Sequence, residues 1–180
     1  MNIYLDLGCY TGDTVQKYLR GEIFERGREC NVVHAFDLTA YPKEWQAVKD
    51  EFPNTTIAFH QKAVGIAQGT ATFGEWQENP QAQTCYPECE NYNGRPLAQV
   101  EQVDFIGWIQ RFVQPGDFVV CKMDIEGAEY EILEQLIKTG AIRLINFLAV
   151  EFHGWIFPAE YAEREKWIRE HCPVSIGGWG

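Results

Sequence analysis

Three short stretches place acids, in two of them beside glycines, where a buried apolar run gives way to a helical pattern. They read Asp6-Leu7-Gly8-Cys9-Tyr10-Thr11-Gly12-Asp13-Thr14, then Ala35-Phe36-Asp37, then Lys122-Met123-Asp124-Ile125-Glu126-Gly127-Ala128-Glu129. In the first, Gly8 and Gly12 permit a sharp turn and a close approach of backbone to ligand, although a glycine turn serves chain geometry just as readily. Asp6 narrows the choice. A dinucleotide places its pyrophosphate at such a turn, where an adjacent carboxylate repels it. S-adenosylmethionine has no phosphate, and carboxylates attract its sulfonium and ammonium. The stretch of Asp6, Gly8, Tyr10, Thr11, Gly12, Asp13 and Thr14 therefore reads as one wall of a site for that cofactor rather than for NAD. Asp37 ends the next apolar run, where an acid can accept both ribose hydroxyls. Its other reading is a cap or turn ahead of Pro42. Asp124 directly follows a third buried run. Helix capping accounts for Glu129 and Glu131 better than it accounts for Asp124.

Methyl transfer to a hydroxyl is an in-line displacement that needs alignment and removal of a proton. A positioned base contributes ~10²–10⁴-fold. The stretch Val150-Glu151-Phe152-His153-Gly154-Trp155 brings a histidine to the end of a further apolar run. His153 is the expected base, working beside Asp124, whereas His34 and His60 fall in or near strand interiors. The alternative is Mg²⁺ held by Asp124, Glu151 and His153, since hard cations take oxygen ligands. The metal-free route ranks first. The expected acceptor contacts are Trp76, Tyr86, Tyr92, Glu126 and Trp155, and the flat faces of Trp76, Tyr86 and Tyr92 suit a sugar ring or an aromatic group.

These residues need strands to carry them. Asn2–Leu7, Val32–Phe36, Thr55–Phe59, Gly69–Trp76, Phe118–Met123 and Leu144–Phe152 read as strands. Helices follow from Thr11, from Pro42 with a Trp45, Val48 and Phe52 stripe, over Asp104–Val113, over Glu129–Lys138 capped by Gly140, and over Pro158–His171. Strands alternating with helices imply an α/β fold, a Rossmann-like, doubly wound, mostly parallel sheet with ligands beyond the carboxyl ends of its strands. The segment 77–96 has no periodicity and is rich in Asn, Gln, Pro and Cys. A long irregular segment in a domain is usually functional or disordered, and this one reads as a substrate loop. Cys85 and Cys89 have ligand-like spacing with no second pair beside them, so reduced thiols are the simpler reading.

Taken together, the three acidic stretches resemble the motifs of the FkbM-type methyltransferases. These are class I S-adenosylmethionine-dependent enzymes, mostly O-methyltransferases of sugars and natural products. The resemblance runs with gaps from Asn2 to about His153, and Asp124-Ile125-Glu126-Gly127-Ala128-Glu129 is its most specific part. It implies the class I methyltransferase fold, and it implies that Lys62 and Ala63 line the adenine pocket, where the residues alone allow an ordinary loop. Two features depart from the family. Asp37 stands where glutamate is usual, and Leu38-Thr39-Ala40 replaces the Asn-Pro that commonly follows. The usual final antiparallel hairpin is expected to be truncated or missing.

The bulk properties set limits. The 180 residues suit one domain of the usual ~100–200, and no linker or repeat divides residues 1–180. The net charge of −11 disfavours nucleic acid, whose binding rests on lysine and arginine at phosphates. The N-terminus has no signal-peptide pattern, and Leu144–Val150 is too short to span a bilayer. A cytoplasmic protein without a membrane partner is expected. Its acceptor is expected to be a small molecule or a glycan. The alternatives are a methyltransferase acting on protein or nucleic acid, and a catalytically inactive cofactor-binding module. Oligomeric state is not legible.

Overall fold

The computed structural model describes residues 1–24, 29–76, 83–86, 89 and 92–178, without the side chains of 75–76 and 92–98. Along the chain run β1 (Asn2–Leu7), α1 (Asp13–Arg20), β2 (Val32–Asp37), α2 (Pro42–Glu51), β3 (Thr56–Gln61), β4 (Ala63–Gly65) and β5 (Gly69–Trp76). They are followed by β6 (Gln83–Thr84), β7 (Tyr92–Asp104), α3 (Phe105–Phe112), β8 (Phe118–Met123), α4 (Glu129–Thr139), β9 (Phe147–Val150), α5 (Glu160–His171) and β10 (Ile176–Gly177).

Six strands form the main sheet, in the order β10-β9-β8-β1-β2-β3. Every neighbouring pair in it is parallel. Alternate side chains of a strand face opposite sides, and here both sides are buried. Ile3, Leu5, Leu7, Val119, Cys121 and Met123 pack with Ile109, Leu133 and Ile168 of α3, α4 and α5. Tyr4, Val33, Ala35 and Val120 pack with Val15 and Tyr18 of α1 and Trp45 and Val48 of α2. The sheet is therefore doubly wound, as expected. No antiparallel hairpin closes it among the described residues, and β10 lies parallel to β9 with Ile176 opposite Leu148. No helix among these residues is long and apolar enough to cross a membrane.

A second sheet was not anticipated. Four strands pair in the order β4-β7-β5-β6, with β7 antiparallel to β5 and parallel to β4. Much of the segment expected to be irregular is thus strand, since β6 and β7 begin at Gln83 and Tyr92. Residues 77–82, 87–88 and 90–91 of that segment lie outside the described residues. The pattern hid β7 because Gln99, Glu101 and Gln102 leave only Val100 and Val103 as apolar residues over its central turnless run, and Glu101 remains exposed. The helix after it starts one residue later than expected, because Asp104 is its N-cap and accepts the Gly107 N–H at 3.0 Å.

Reading outward from β1, the chain runs to β2 and β3 on one side and to β8, β9 and β10 on the other. At such a reversal the crossovers on the two sides go to opposite faces, which leaves a crevice at the carboxyl ends.

Candidate functional site

A cleft of about 400 Å³ opens at that reversal. Its floor is made by the loops that leave β1 and β8, and these two loops touch. Gly8 has φ +78°, and a Cβ there would lie 1.7 Å from the Asp124 carbonyl oxygen. Glycine is required at this position so that the two loops can meet. Asp124 N–H completes the join by donating to the Leu7 carbonyl at 3.0 Å. Two residues that are not glycine also adopt positive φ in these loops, Tyr10 at 44° and Glu126 at 56°. Such conformations cost roughly 1–3 kcal/mol each and concentrate at functional sites. Tyr10 is held by its N–H, which donates to Asp37 Oδ2 at 2.7 Å. Thr39 N–H donates to Asp37 Oδ1 at 3.0 Å, which fixes the carboxylate at the end of β2.

Lys122 lies beneath the floor with 2% exposure, and Asp6 beside it is wholly buried. The lysine ammonium donates to the Gly8 carbonyl at 2.6 Å and sits 3.3 Å from both Asp6 Oδ1 and Asp124 Oδ2. The Thr14 hydroxyl donates to Asp6 Oδ2. Burial alone would push the lysine toward neutrality, but Asp6 and Asp124 outweigh it and raise its pKa. Burial raises the Asp6 carboxyl, against the pull of Lys122 and Thr14. One buried cation thus joins the β1 loop to the β8 loop.

On the β9 side a second polar knot forms around His153, which is buried. Its Nδ1 lies 3.2 Å from Glu129 Oε1, and its Nε2 faces Glu126 Oε2 at 3.6 Å and Asp124 Oδ1 at 3.7 Å. Glu129 is wholly buried and accepts the Ile125 and Gly127 N–H groups at 2.6 and 2.8 Å. Burial opposes the charged imidazole, yet Glu129, Glu126 and Asp124 together raise its pKa to about 9. Burial pushes the Glu126 carboxyl up to about 7, in spite of His153. Gly127 has φ +109°, and a Cβ there would lie 2.3 Å from Phe157 and 3.2 Å from Tyr86. The Thr84 hydroxyl donates to the Glu126 carbonyl at 2.8 Å. Residues 83–86 are therefore fastened over the β8 turn.

The Methyltransferase FkbM domain model matches residues 7–172. This chain belongs to the FkbM methyltransferase domain family. A crystal structure of the methyltransferase FkbM from Methylobacillus flagellatus KT is similar in fold, with a TM-score of 0.55 at 12% identity. The alignment covers 96% of this chain and 39% of that one, so this chain spans well under half of that protein's length. No curated protein matches it in sequence.

In this FkbM-family domain the cleft wall includes Gly8, Tyr10, Asp13, Thr14, Asp37, Lys62, Ala63 and Asp124 of the expected cofactor residues. Asp6, Thr11 and Gly12 do not form it. Asp6 instead supports the floor from below through Lys122. Of the expected acceptor residues, Glu126 and Tyr86 line the cleft, while Trp155 is 67% exposed and stands outside it. The side chains of Trp76 and Tyr92 lie outside the described residues. His153 is not itself on the wall but stands behind Asp124 and Glu126. Glu151 is exposed and takes no part in the cluster, so the carboxylates that face His153 Nε2 are Asp124 and Glu126. Gln83 and Cys85, from the segment expected to be a substrate loop, line the cleft, and Thr39, Tyr41 and Glu131 do so without having been expected there. Lys122 had a signal that sequence reasoning passed over: a cation inside the apolar run of β8 must be matched by buried acids.

Proposed function

We propose that this domain binds S-adenosylmethionine and transfers its methyl group to a hydroxyl of a small-molecule or glycan acceptor. One observation carries the reading. The cleft at the carboxyl ends of the parallel strands presents Asp13, Asp37, Asp124, Glu126 and Glu131, against the cations Lys17, Lys62 and Lys122. Lys122 is taken up by Asp6 and Asp124, Lys62 by Glu101 at 2.7 Å, and Lys17 by Asp13 at 3.8 Å. Such a cleft repels a pyrophosphate and attracts a sulfonium and an ammonium. Asp37 stands on the β2 side, where its carboxylate can accept the two ribose hydroxyls with the lone pairs that Tyr10 and Thr39 leave over. Lys62 and Ala63 lie on the same side, at the adenine.

The acceptor then enters on the β8 side, between Glu126 and Tyr86. Its oxygen forms a bond to the methyl carbon as the carbon–sulfur bond breaks. The electron pair of that bond neutralises the sulfonium, and the hydroxyl proton passes to the Glu126 carboxylate. His153, enclosed by three carboxylates, positions Glu126 and Asp124 rather than removing the proton itself. The segment 77–96 serves acceptor binding, through the part fastened at Thr84 and Tyr86.

Calorimetry on the purified chain tests the cofactor. S-adenosylmethionine or S-adenosylhomocysteine should bind more tightly than NAD. Asp37→Ala should weaken that binding by roughly 1.5–3 kcal/mol, the range for hydrogen bonds to a charged group. Tighter binding of NAD, or an Asp37→Ala variant with unchanged affinity, would sink the reading. Formation of S-adenosylhomocysteine with a supplied hydroxyl acceptor separates an enzyme from a binding module.

A further inference from the structure

Asp124, Glu126 and His153 are spaced as the ligands of one ion can be. One ligand atom from each of Asp124, Glu126 and His153 lies within 4.8 Å of the others. The imidazole Nε2 stands 3.6 Å from Glu126 Oε2 and 3.7 Å from Asp124 Oδ1, well beyond the ~2.7–2.9 Å of a hydrogen bond between charged groups. This nitrogen, on a side chain only 4% exposed, therefore faces two carboxylates at ion-pair distance without a hydrogen bond to either. Its ring cannot turn away, because Nδ1 lies against Glu129 and Glu129 is fixed by two backbone N–H groups. A histidine with one nitrogen on a buried carboxylate and the other aimed at oxygen donors has the arrangement of a metal-ligating histidine.

We propose that Asp124, Glu126 and His153 form a site for one divalent cation, with Glu129 as the residue that orients the imidazole. Ligand atoms ~2.1 Å from a tetrahedral ion stand ~3.4 Å apart, so the imidazole has to approach each carboxylate by only a few tenths of an ångström. One imidazole with two carboxylates favours Mn²⁺, Fe²⁺ or Zn²⁺ over Mg²⁺, which prefers an octahedral shell of oxygen. On binding, Nε2 presents its lone pair and any proton it carries leaves to solvent. Three protein ligands leave at least one position open, and Asp124 and Glu126 bring that position to the cleft. There the ion can hold the acceptor oxygen and lower its pKa. Glu126 uses one oxygen on the ion and keeps the other for the departing proton. The role in catalysis rests on the methyl-transfer reading; the site itself does not.

The test needs no turnover. The intact chain is treated with EDTA, dialysed and titrated with Mn²⁺, with the free ion read by electron paramagnetic resonance; Zn²⁺ is then added as competitor. One Mn²⁺ per chain should bind and be displaced by Zn²⁺. Glu126→Gln and His153→Gln should each weaken binding tenfold or more. Glu129→Gln should weaken it by ~10–100-fold, the usual effect of losing a partner of a ligating histidine. Glu151→Gln, outside the cluster, should leave it unchanged. Glu126 is partly exposed, so its variant keeps the proposal testable if the buried positions disturb folding, and circular dichroism checks each variant. Absence of saturable binding in the wild type, equal affinity in Glu126→Gln, or loss confined to Glu151→Gln would overturn the site. Calorimetry with S-adenosylmethionine on the same preparation keeps the two ideas apart: metal without cofactor would remove the methyl-transfer reading alone, and cofactor without metal the site alone.

Discussion

A lysine inside an apolar strand is tolerated only when buried acids match its charge, and Lys122 meets two. Its removal exposes what the match is worth. In Lys122→Met the wholly buried Asp6 keeps only neutral side-chain partners, the Thr14 hydroxyl and, at 3.5 Å, the Tyr4 hydroxyl. Breaking one side of a buried pair typically costs 3–5 kcal/mol, and urea unfolding of Lys122→Met should show a loss of roughly that size. The double variant Asp6→Asn with Lys122→Met removes both charges and should recover much of it. If the double variant were as unstable as the sum of the two singles, the pair would not be the cause. The three acidic stretches were legible because a carboxylate at the end of a buried apolar run has few structural explanations. What could not be read was the depth of each acid. Asp6 and Asp124 both sit at carboxyl ends, but only the fold puts one beneath the floor and the other on it. Glu151 and Glu126 were exchanged for a similar reason, since both lie near His153 in some register and sequence does not say which turn bends back. The left-handed backbone at Glu126 is what brings that side chain round.

At the scale of elements, β2 and β3 carry a pair of histidines with no place in the site. His34 Nδ1 lies 3.0 Å from His60 Nε2, so one ring donates to the other and the neutral pair shares that proton. Trp108 and Phe112 of α3 pack edge-on against His34. Burial first, and His60 second, lower the pKa of His34 to about 4; His60 is also lowered, by burial and then Lys62. The sign follows from linkage. Above the unfolded value of ~6.5 both states are neutral here and the pair carries no penalty. As pH falls toward 4, the unfolded chain takes up a proton that the folded chain refuses, and stability is lost. Between pH 7 and pH 4.5 the loss should be on the order of 2 kcal/mol. It should shrink in His34→Phe when urea midpoints at the two pH values are compared; the same drop in both proteins would assign it to other groups. The main strands were readable because both of their faces are apolar. The second sheet was not, because on β7 Val100 and Val103 stand three apart, which breaks the period of two that marks a strand.

For the molecule as a whole, the site is a product of topology. Residues 114 apart in sequence, Gly8 and Lys122, become neighbours only because β1 lies between β2 and β8. That placement bears on how the chain is made. β1 is made before the other five strands of its sheet, yet it is an inner strand, with Ile3 opposite Val32 on one side and Val119 on the other. Its first neighbour follows within a few tens of residues, while its second arrives only after four strands of another sheet and a helix have emerged. Until then one edge of β1 has unpaired N–H and C=O groups, and Leu5 and Leu7 lack the helices that will cover them. Contacts so distant in sequence form slowly, and waiting strand edges invite wrong pairing. A fragment ending at residue 116 should accordingly show no cooperative unfolding transition by circular dichroism, although it contains three of the six main strands. A cooperative transition in that fragment would mean that the first half folds by itself. The parallel join that builds the cleft is therefore also a timing constraint, because the second edge of β1 has no partner strand until Phe118–Met123 has left the ribosome.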